Sequence, residues 1–157
     1  MGAEARLAEL GLVLPGPYPP HEPLVAVVVH HGVARTSGQL ARDVDGVIVA
    51  PGRLGDDVSV EAGAEAARLC ALNALSVLRA ELGSLDRVDR VLSVTGYVAS
   101  APGFAAQAAV IDGASILLVD VFGDAGRHTR SAIGVAALPR GASVEIEVTV
   151  ALVDDDT

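Results

Sequence analysis

Residues 127–148 read RHTRSAIGVAALPRGASVEIEV, and this stretch indicates how the chain folds near its end. Arg130 opens an apolar run that is typical of a strand, and Leu138-Pro139 then predicts a turn. From Val144 a second strand alternates apolar residues with Glu145 and Glu147, so both glutamates point away from its apolar face. An arginine is well shaped to hold a carboxylate, and a desolvated glutamate can handle water or a proton.

The rest of the chain supplies more strands and two long helices. The clearest helix is predicted from Val60 to Leu82, with Ser59 as N-cap and Gly83 at its end. The other predicted elements are a short helix over 3–10, strands over 25–29, 33–39, 47–49, 88–99, 130–136 and 143–153, and a second long helix over 104–122.

Two helices on one face of a mixed sheet make an α+β fold. The 157 residues are most simply one domain, with residues 1–20 as an N-terminal arm lying on it and residues 154–157 as a frayed tail. Because aromatic residues make up only 3 % of the chain, each buried side chain is small, which favours oligomerisation as a further source of burial.

Charge and composition exclude several function classes. A net charge of −9 repels phosphate backbones, so we expect no nucleic-acid partner. No apolar run reaches the roughly 20 residues of a spanning helix, so we expect no membrane partner. One cysteine, Cys70, fits a reducing compartment, and without a recognisable signal peptide this predicts a cytoplasmic protein.

Each residue that suggests chemistry also has a structural explanation. Arg130 is either a carboxylate anchor or a surface arginine in an ion pair, and Glu145 either lines an interface or faces solvent. His128 shares a strand face with Arg130 and either orients it or is an exposed loop histidine. Cys70 lies in an apolar helix, which favours packing. The adjacent His30 and His31 point to opposite faces, so we expect no metal site.

Several motifs together resemble the Rid superfamily, the reactive intermediate deaminases also called YjgF-type or L-PSP-type proteins. The resemblance covers most of the chain and is strongest to a longer-chain branch. The segments that carry it are Thr36-Ser37-Gly38-Gln39, residues 65–75, 96–104 and 112–115, the Gly-Arg-His-x-Arg-Ser-Ala segment, and R-S-x-x-x-V-x-x-L-P-x-x-x-x-V-E-I-E from Arg130 onward.

The resemblance implies a chorismate-mutase-like fold assembled as a homotrimer around a central barrel, with pockets between subunits. It implies hydrolysis of small 2-imino or enamine acids to 2-keto acids and ammonia, without a cofactor. By the same resemblance, Arg130 binds the substrate carboxylate and Glu145 positions the attacking water. Ser37, Gly38 and Gln39 line the pocket, and Ser115 matches a position on the second helix.

One position departs from the family pattern. The deaminating branch has a tyrosine before the first strand, where we expect Leu24 here, and Tyr18 is too far upstream to be its obvious substitute. The sequence therefore leaves two alternatives open. One is a non-catalytic trimer that binds a 2-keto acid or another small carboxylate-bearing metabolite, and the other is a pathway-specific enzyme with altered chemistry.

Overall fold

A computed structural model gives the structure of the protein and describes residues 1–154. Within that range the helices are α1 (Ala3–Glu9), α2 (Val60–Leu82) and α3 (Gln107–Phe122), and the strands are β1 (Val27–His30), β2 (Val33–Thr36), β3 (Gln39–Leu40), β4 (Val88–Ala99), β5 (Thr129–Val135) and β6 (Val144–Leu152). Short 3₁₀ turns occupy Leu85–Arg87, Gly123–Gly126 and Pro139–Gly141. Of the predicted tail, only Asp154 lies within the described residues.

The strands form one mixed sheet in the order β1-β2-β6-β4-β5, and β3 also pairs with β6. β4 and β5 are parallel, because α3 crosses over between them. The other four pairs, β1–β2, β2–β6, β3–β6 and β4–β6, are antiparallel. The prediction of an α+β fold with a mixed sheet is confirmed.

Helices α2 and α3 cover one face of this sheet. Val144, Ile146 and Val148 of β6 point into that layer and are fully buried. The two helices approach closely where a Cβ added to Gly113 of α3 would lie 2.0 Å from the backbone oxygen of Ala64 in α2. Small residues therefore set the helix spacing, as the aromatic-poor composition requires.

The predicted bounds of α2 and β4 are both correct. α2 begins where the Ser59 side chain accepts a hydrogen bond from the Ala62 amide at 3.1 Å, and it ends at Gly83, whose φ is 82°. The serine N-cap and the glycine at the C-terminal end are the two features from which the sequence predicted these bounds.

Three other predictions were wrong in detail. The strand predicted over 33–39 is two strands, because residues 37 and 38 leave the ladder before β3 joins β6. The predicted strand over 47–49 is a turn held by a single bridge between Arg42 and Ile48. α3 begins at Gln107 rather than at residue 104, so Phe104 packs on the core from the preceding loop.

Two apolar residues within regular elements, Leu92 of β4 and Ala108 of α3, are exposed. An irregularity in the β4–β6 ladder between Val91 and Ser93 leaves Leu92 out of the alternation, and Leu92 is 37 % exposed. Ala108 is also exposed, because α3 buries the stripe that contains Val110 and Ile111 instead.

The side of the sheet away from the helices, here called the open face, is not covered by any element within residues 1–154. Its residues include Val28, Arg35, Tyr97, Ile133 and Glu147, of which Val28 is 57 % and Ile133 42 % exposed. Exposed apolar residues on a continuous sheet face favour contact with another protein surface.

None of the helices in residues 1–154 has both the length and the apolar character needed to cross a lipid bilayer.

Candidate active site

Arg130 lies on β5 and points towards the helices. Its Nη1 donates to Asp112 Oδ1 at 2.7 Å and to Ser115 Oγ at 3.2 Å, and both acceptors belong to α3. Both readings of Arg130 from the sequence therefore have support, because it forms an ion pair and yet keeps free donors. Among residues 1–154, neither Nε nor Nη2 of Arg130 has a hydrogen-bond partner. These two atoms form the edge that binds a carboxylate through two parallel hydrogen bonds.

His128 holds Arg130 indirectly, through Ser115. His128 Nδ1 lies 2.6 Å from the carbonyl oxygen of Gly126, and Nε2 lies 2.9 Å from Ser115 Oγ. A carbonyl only accepts, so Nδ1 donates to it, and in the tautomer with one proton on Nδ1 the Nε2 atom accepts from the Ser115 hydroxyl. Ser115 Oγ is then oriented to accept from Arg130. The structure thus brings together three predicted site residues, His128, Ser115 and Arg130.

Glu145 lies on β6 and lines a different depression, here called the glutamate cleft. The cleft has a volume of about 180 Å³, which suits a small metabolite. Its walls come from the N-terminal arm, the β2–β3 segment and the start of β6, and its lining residues include Tyr18, Leu24, Ser37, Gly38, Gln39, Arg42 and Glu145. The structure therefore gathers the remaining predicted site residues here.

The environment of Glu145 favours its protonated form. Burial is the main reason that its pKa lies above the ordinary value of 4.5, and the negative charge of Glu147 raises the pKa further. Arg42 acts in the opposite direction and lowers it. A carboxylate with a raised pKa is a better proton acceptor than an ordinary glutamate once it is ionised.

Gly38 brings the backbone of the β2–β3 segment directly against the Glu145 carboxylate. A Cβ added at Gly38 would lie 2.0 Å from Glu145 Oε1 and 2.8 Å from its Cδ. No other residue leaves the carboxylate in its observed position, which explains the Ser-Gly-Gln pattern at this point.

The neighbours of Gly38 shape the segment. The Ser37 hydroxyl donates to the Val25 carbonyl at 2.6 Å and ties the segment to the residues before β1. Gln39 is only 5 % exposed, and its Nε2 donates to the Ser37 carbonyl at 3.3 Å. Both side chains line the cleft and also hold its wall in place.

Tyr18, which lies too far upstream in sequence to be the obvious substitute for the family tyrosine, lines the same cleft in the structure. The arm carries its ring into the glutamate cleft, where Leu24 is also a lining residue. The Gly16 amide donates to Ser76 Oγ at 3.2 Å, which fixes the arm on α2 just before Tyr18. Sequence separation was misleading because residues 19–26 form a loop that returns to the same cleft.

Arg130 and Glu145 do not meet within one chain. Arg130 is opposite Val94, which is opposite Val148 on the helix-covered face. Glu145 is opposite Tyr97 on the open face, where Glu147 lies 3.4 Å from the Tyr97 hydroxyl. The two groups therefore point to opposite sides of the sheet, with β4 between their strands.

Cys70 does not belong to either site. It is fully buried on α2, burial raises the pKa of its thiol, and its Sγ contacts the Val144 carbonyl at 3.5 Å. A thiol in this environment stays protonated and acts as a packing residue, as its position in an apolar helix predicted.

Comparison with known proteins finds similarity along nearly the whole chain. A family model described as "YjgF/chorismate mutase-like, putative endoribonuclease" matches residues 4–148. Protein TCP17 of Trypanosoma cruzi is 44 % identical over 150 residues, which cover 94 % of this chain and 92 % of that protein.

Two solved structures share both the fold and a substantial part of the sequence. Atu1372 from Agrobacterium tumefaciens, a protein of unknown function, is 41 % identical with a TM-score of 0.87, over 96 % of this chain and 94 % of that one. A protein from Shewanella oneidensis described as a putative endoribonuclease is 29 % identical with a TM-score of 0.92, over 97 % and 100 % of the two chains.

Proposed function

The chain belongs to the YjgF/chorismate mutase-like family, the Rid superfamily, and on that premise we propose that it hydrolyses small 2-imino acids, or their enamine tautomers, to 2-keto acids and ammonia. The observation that carries this proposal is the half-buried Glu145, whose pKa is raised beside a cleft sized for a small metabolite. An imine is already reactive towards water, so positioning and modest acid–base help are sufficient.

In the proposed reaction, the free edge of Arg130 binds the substrate carboxylate. Glu145 accepts a proton from water as the water oxygen bonds to the C=N carbon and the π electrons move to nitrogen. Glu145 passes this proton to nitrogen, which gives a neutral carbinolamine. Glu145 then accepts the hydroxyl proton and delivers it to nitrogen as well, the C–N bond breaks with its electrons on the departing ammonia, and the oxygen lone pair forms the keto group. Every atom of the products comes from the imine and one water molecule.

The placement of the two groups favours a site shared between copies of the chain. β5 is the edge strand of the sheet, so Arg130 lies near a boundary that a second copy can approach. The open face, with its exposed apolar residues, is available for the same assembly. We therefore propose a homotrimer in which Arg130 of one subunit completes the glutamate cleft of its neighbour.

An RNA substrate is less compatible with this surface. Binding of single-stranded RNA relies on basic grooves and stacked aromatic side chains. This chain has a net charge of −9 and only two Phe and two Tyr residues. The endoribonuclease description applies to the family model and to the relative from Shewanella oneidensis, and the charge of this chain argues against the same role here.

A second candidate function is a metabolite-binding trimer without catalysis. It is supported by Arg130, whose free edge would hold a 2-keto acid whether or not water is activated nearby. A pathway-specific enzyme with altered chemistry had been suggested by the apparent loss of the tyrosine. Because Tyr18 lines the cleft, that argument is weaker.

The proposal is tested by generating 2-iminopropionate or 2-iminobutyrate with an amino-acid oxidase in the presence of semicarbazide. Semicarbazide traps imine that escapes hydrolysis, so an active protein lowers the trapped product as its concentration rises. Failure to lower it, together with clear binding of 2-keto acids, would support the metabolite-binding alternative instead.

A further inference from the structure

Two arginines surround Tyr18 at the edge of the glutamate cleft. The guanidinium carbon of Arg42 lies 4.1 Å from the centroid of the Tyr18 ring, and that of Arg140 lies 6.0 Å away. Arg140 Nη1 also donates to the Tyr18 hydroxyl at 3.4 Å. The aromatic ring thus holds two like charges close together.

Neither arginine forms a direct ion pair with a carboxylate of the described residues, although Glu145 attracts Arg42 from a longer distance. Within residues 1–154, six other arginines form ion pairs: Arg6, Arg35, Arg53, Arg79, Arg127 and Arg130. Arg42 and Arg140, like Arg68 and Arg90, form none with any described residue, but only Arg42 and Arg140 share one aromatic ring. Two positive charges held side by side without an ion-pair partner favour a bound anion.

Arg42 is held in place and has an unsatisfied donor. The Asn73 amide on α2 donates to the Arg42 carbonyl at 2.9 Å and to the Leu40 carbonyl at 3.2 Å, which fixes the backbone. Arg42 Nε is buried without a hydrogen-bond partner. Burial is the main reason that the pKa of Arg42 is lowered; Tyr18 and Glu145 raise it, whereas the charge of Arg140 lowers it. A negatively charged ligand group would relieve both the lost solvation and the repulsion.

Arg140 occupies a backbone conformation that suits glycine better. Its φ is 59° and its ψ is 20°, in the left-handed region that non-glycine residues rarely adopt. Glycine adopts this conformation without strain, so Arg140→Gly would remove the side chain without a backbone cost.

The two arginines lie where a longer ligand would extend from Glu145. The glutamate cleft continues past Tyr18 and Arg42 into a second depression of about 490 Å³, here called the arginine cleft, whose lining includes Arg140. Tyr18, Arg42 and Pro139 line both clefts. A ligand that reacts at Glu145 therefore has room to carry a further group towards the arginines.

We propose that Arg42 and Arg140 bind a second carboxylate, so that the substrate is an imino acid with an acidic side chain. This inference rests on the proposed function and specifies its substrate class. Arg130 holds the carboxylate next to the C=N carbon, Glu145 activates water at that carbon, and Arg42 with Arg140 selects the side-chain carboxylate.

The test compares the binding of 2-oxoglutarate and 2-oxopentanoate by titration calorimetry. The two keto acids share a five-carbon chain, and 2-oxopentanoate has a methyl group in place of the second carboxylate. We expect wild-type protein to bind the diacid roughly tenfold or more tightly than the monoacid. Arg42→Gln and Arg140→Gly should each remove this preference, and Arg140→Gly, whose side chain lines only the arginine cleft, should leave the affinity for the monoacid unchanged.

A second variant and a control variant support the interpretation of this comparison. Arg140→Gly places glycine in a left-handed conformation, so that variant should fold even if Arg42→Gln does not. Arg68→Gln removes an arginine from α2 that lines neither cleft, and it should leave both affinities unchanged. Equal binding of the two acids by wild type overturns this inference but leaves the proposed function standing. Binding of neither acid contradicts both.

Discussion

Arg130 and Glu145 point to opposite sides of one sheet, separated by the central strand β4. Arg130 contacts Asp112 and Ser115 beneath the helices, whereas Glu145 faces the cleft formed by the N-terminal arm and Gly38. A carboxylate anchor and a water-activating group that act on one substrate must therefore come from different copies of the chain.

Arg130→Ala should abolish binding of small 2-keto acids without unfolding the protein. The loss of a charge-assisted pair with a carboxylate should cost on the order of 2–5 kcal/mol of binding free energy. Arg130→Lys should not restore binding, because a single ammonium group cannot reproduce the planar edge of Nε and Nη2. Calorimetric titration with pyruvate measures both effects, and wild-type affinity in the alanine variant would refute the anchor role.

Glu145→Gln should lower imine hydrolysis by about 100-fold or more, the usual scale for a positioned acid–base group. Binding of 2-keto acids should change little, because Arg130 still holds the carboxylate. The semicarbazide assay measures the first effect. Glu147→Gln is the matched control, since Glu147 lies on the same strand face but pairs with Arg35 at 3.3 Å. Equal activity of Glu145→Gln and wild type would show that Glu145 is not catalytic.

Gly38→Ala should abolish the proposed imine hydrolysis while leaving the protein folded. The added methyl group would occupy the space of the Glu145 carboxylate, 2.0 Å from Oε1, and must displace it. Gly134→Ala on β5 is the control, because its added Cβ would meet the flexible end of the Gln107 side chain at 2.8 Å and Ser100 Oγ at 3.3 Å, and neither residue lines the glutamate cleft. Thermal unfolding measures whether the variant is still folded, and the hydrolysis assay measures whether it is still active. Full activity in Gly38→Ala would mean that the position of Glu145 is unimportant.

The pH dependence of hydrolysis should report the raised pKa of Glu145. Glu145 must be ionised to accept a proton, so activity should fall as the pH drops through a pKa above 4.5. Glu147→Gln removes a negative charge that raises this pKa, so its acid limb should shift to lower pH while the plateau is retained. Identical profiles in wild type and Glu147→Gln would contradict the coupling between the two carboxylates.

The same shift predicts a stability effect of known sign. A glutamate whose folded-state pKa is raised stabilises the fold at low pH, where it is protonated, and this stabilisation is lost as the pH rises through the folded pKa. Glu145→Gln should therefore unfold at the same temperature as wild type or higher at neutral pH. Any difference in unfolding temperature between Glu145→Gln and wild type should shrink below about pH 4.5, where the glutamate is protonated in both the folded and the unfolded chain.

Local signals were sufficient to predict the main elements from sequence. The Ser59 cap and Gly83 fix both ends of α2, and the β-branched residues that recur between 88 and 99 predict the bounds of β4. The points at which a strand leaves its hydrogen-bonded ladder were harder to predict. Leu92 leaves its face because of a bulge, and residues 37 and 38 leave the ladder so that Gly38 can approach Glu145. Neither departure follows from alternation of apolar residues.

The sequence indicated individual residues of the candidate site, but it did not predict how they are arranged in space. On β5 the apolar Ile133 faces the open side and is 42 % exposed, so the apolar pattern does not reveal that Arg130 faces the helices. Tyr18 reaches the cleft through a loop whose path no periodicity encodes. Such features depend on long-range packing rather than on local sequence.

A shared site can be tested by mixing two inactive subunits. Arg130→Ala and Glu145→Gln chains with different tags are co-expressed, and mixed trimers are purified through both tags in turn. In any mixed trimer, one of the three interfaces joins an intact Arg130 to an intact Glu145, so imine hydrolysis should recover to about one third of the wild-type rate. Recovery alongside inactive parents is the result we predict, and mixed trimers as inactive as either parent would contradict a site formed by Arg130 and Glu145 of neighbouring subunits.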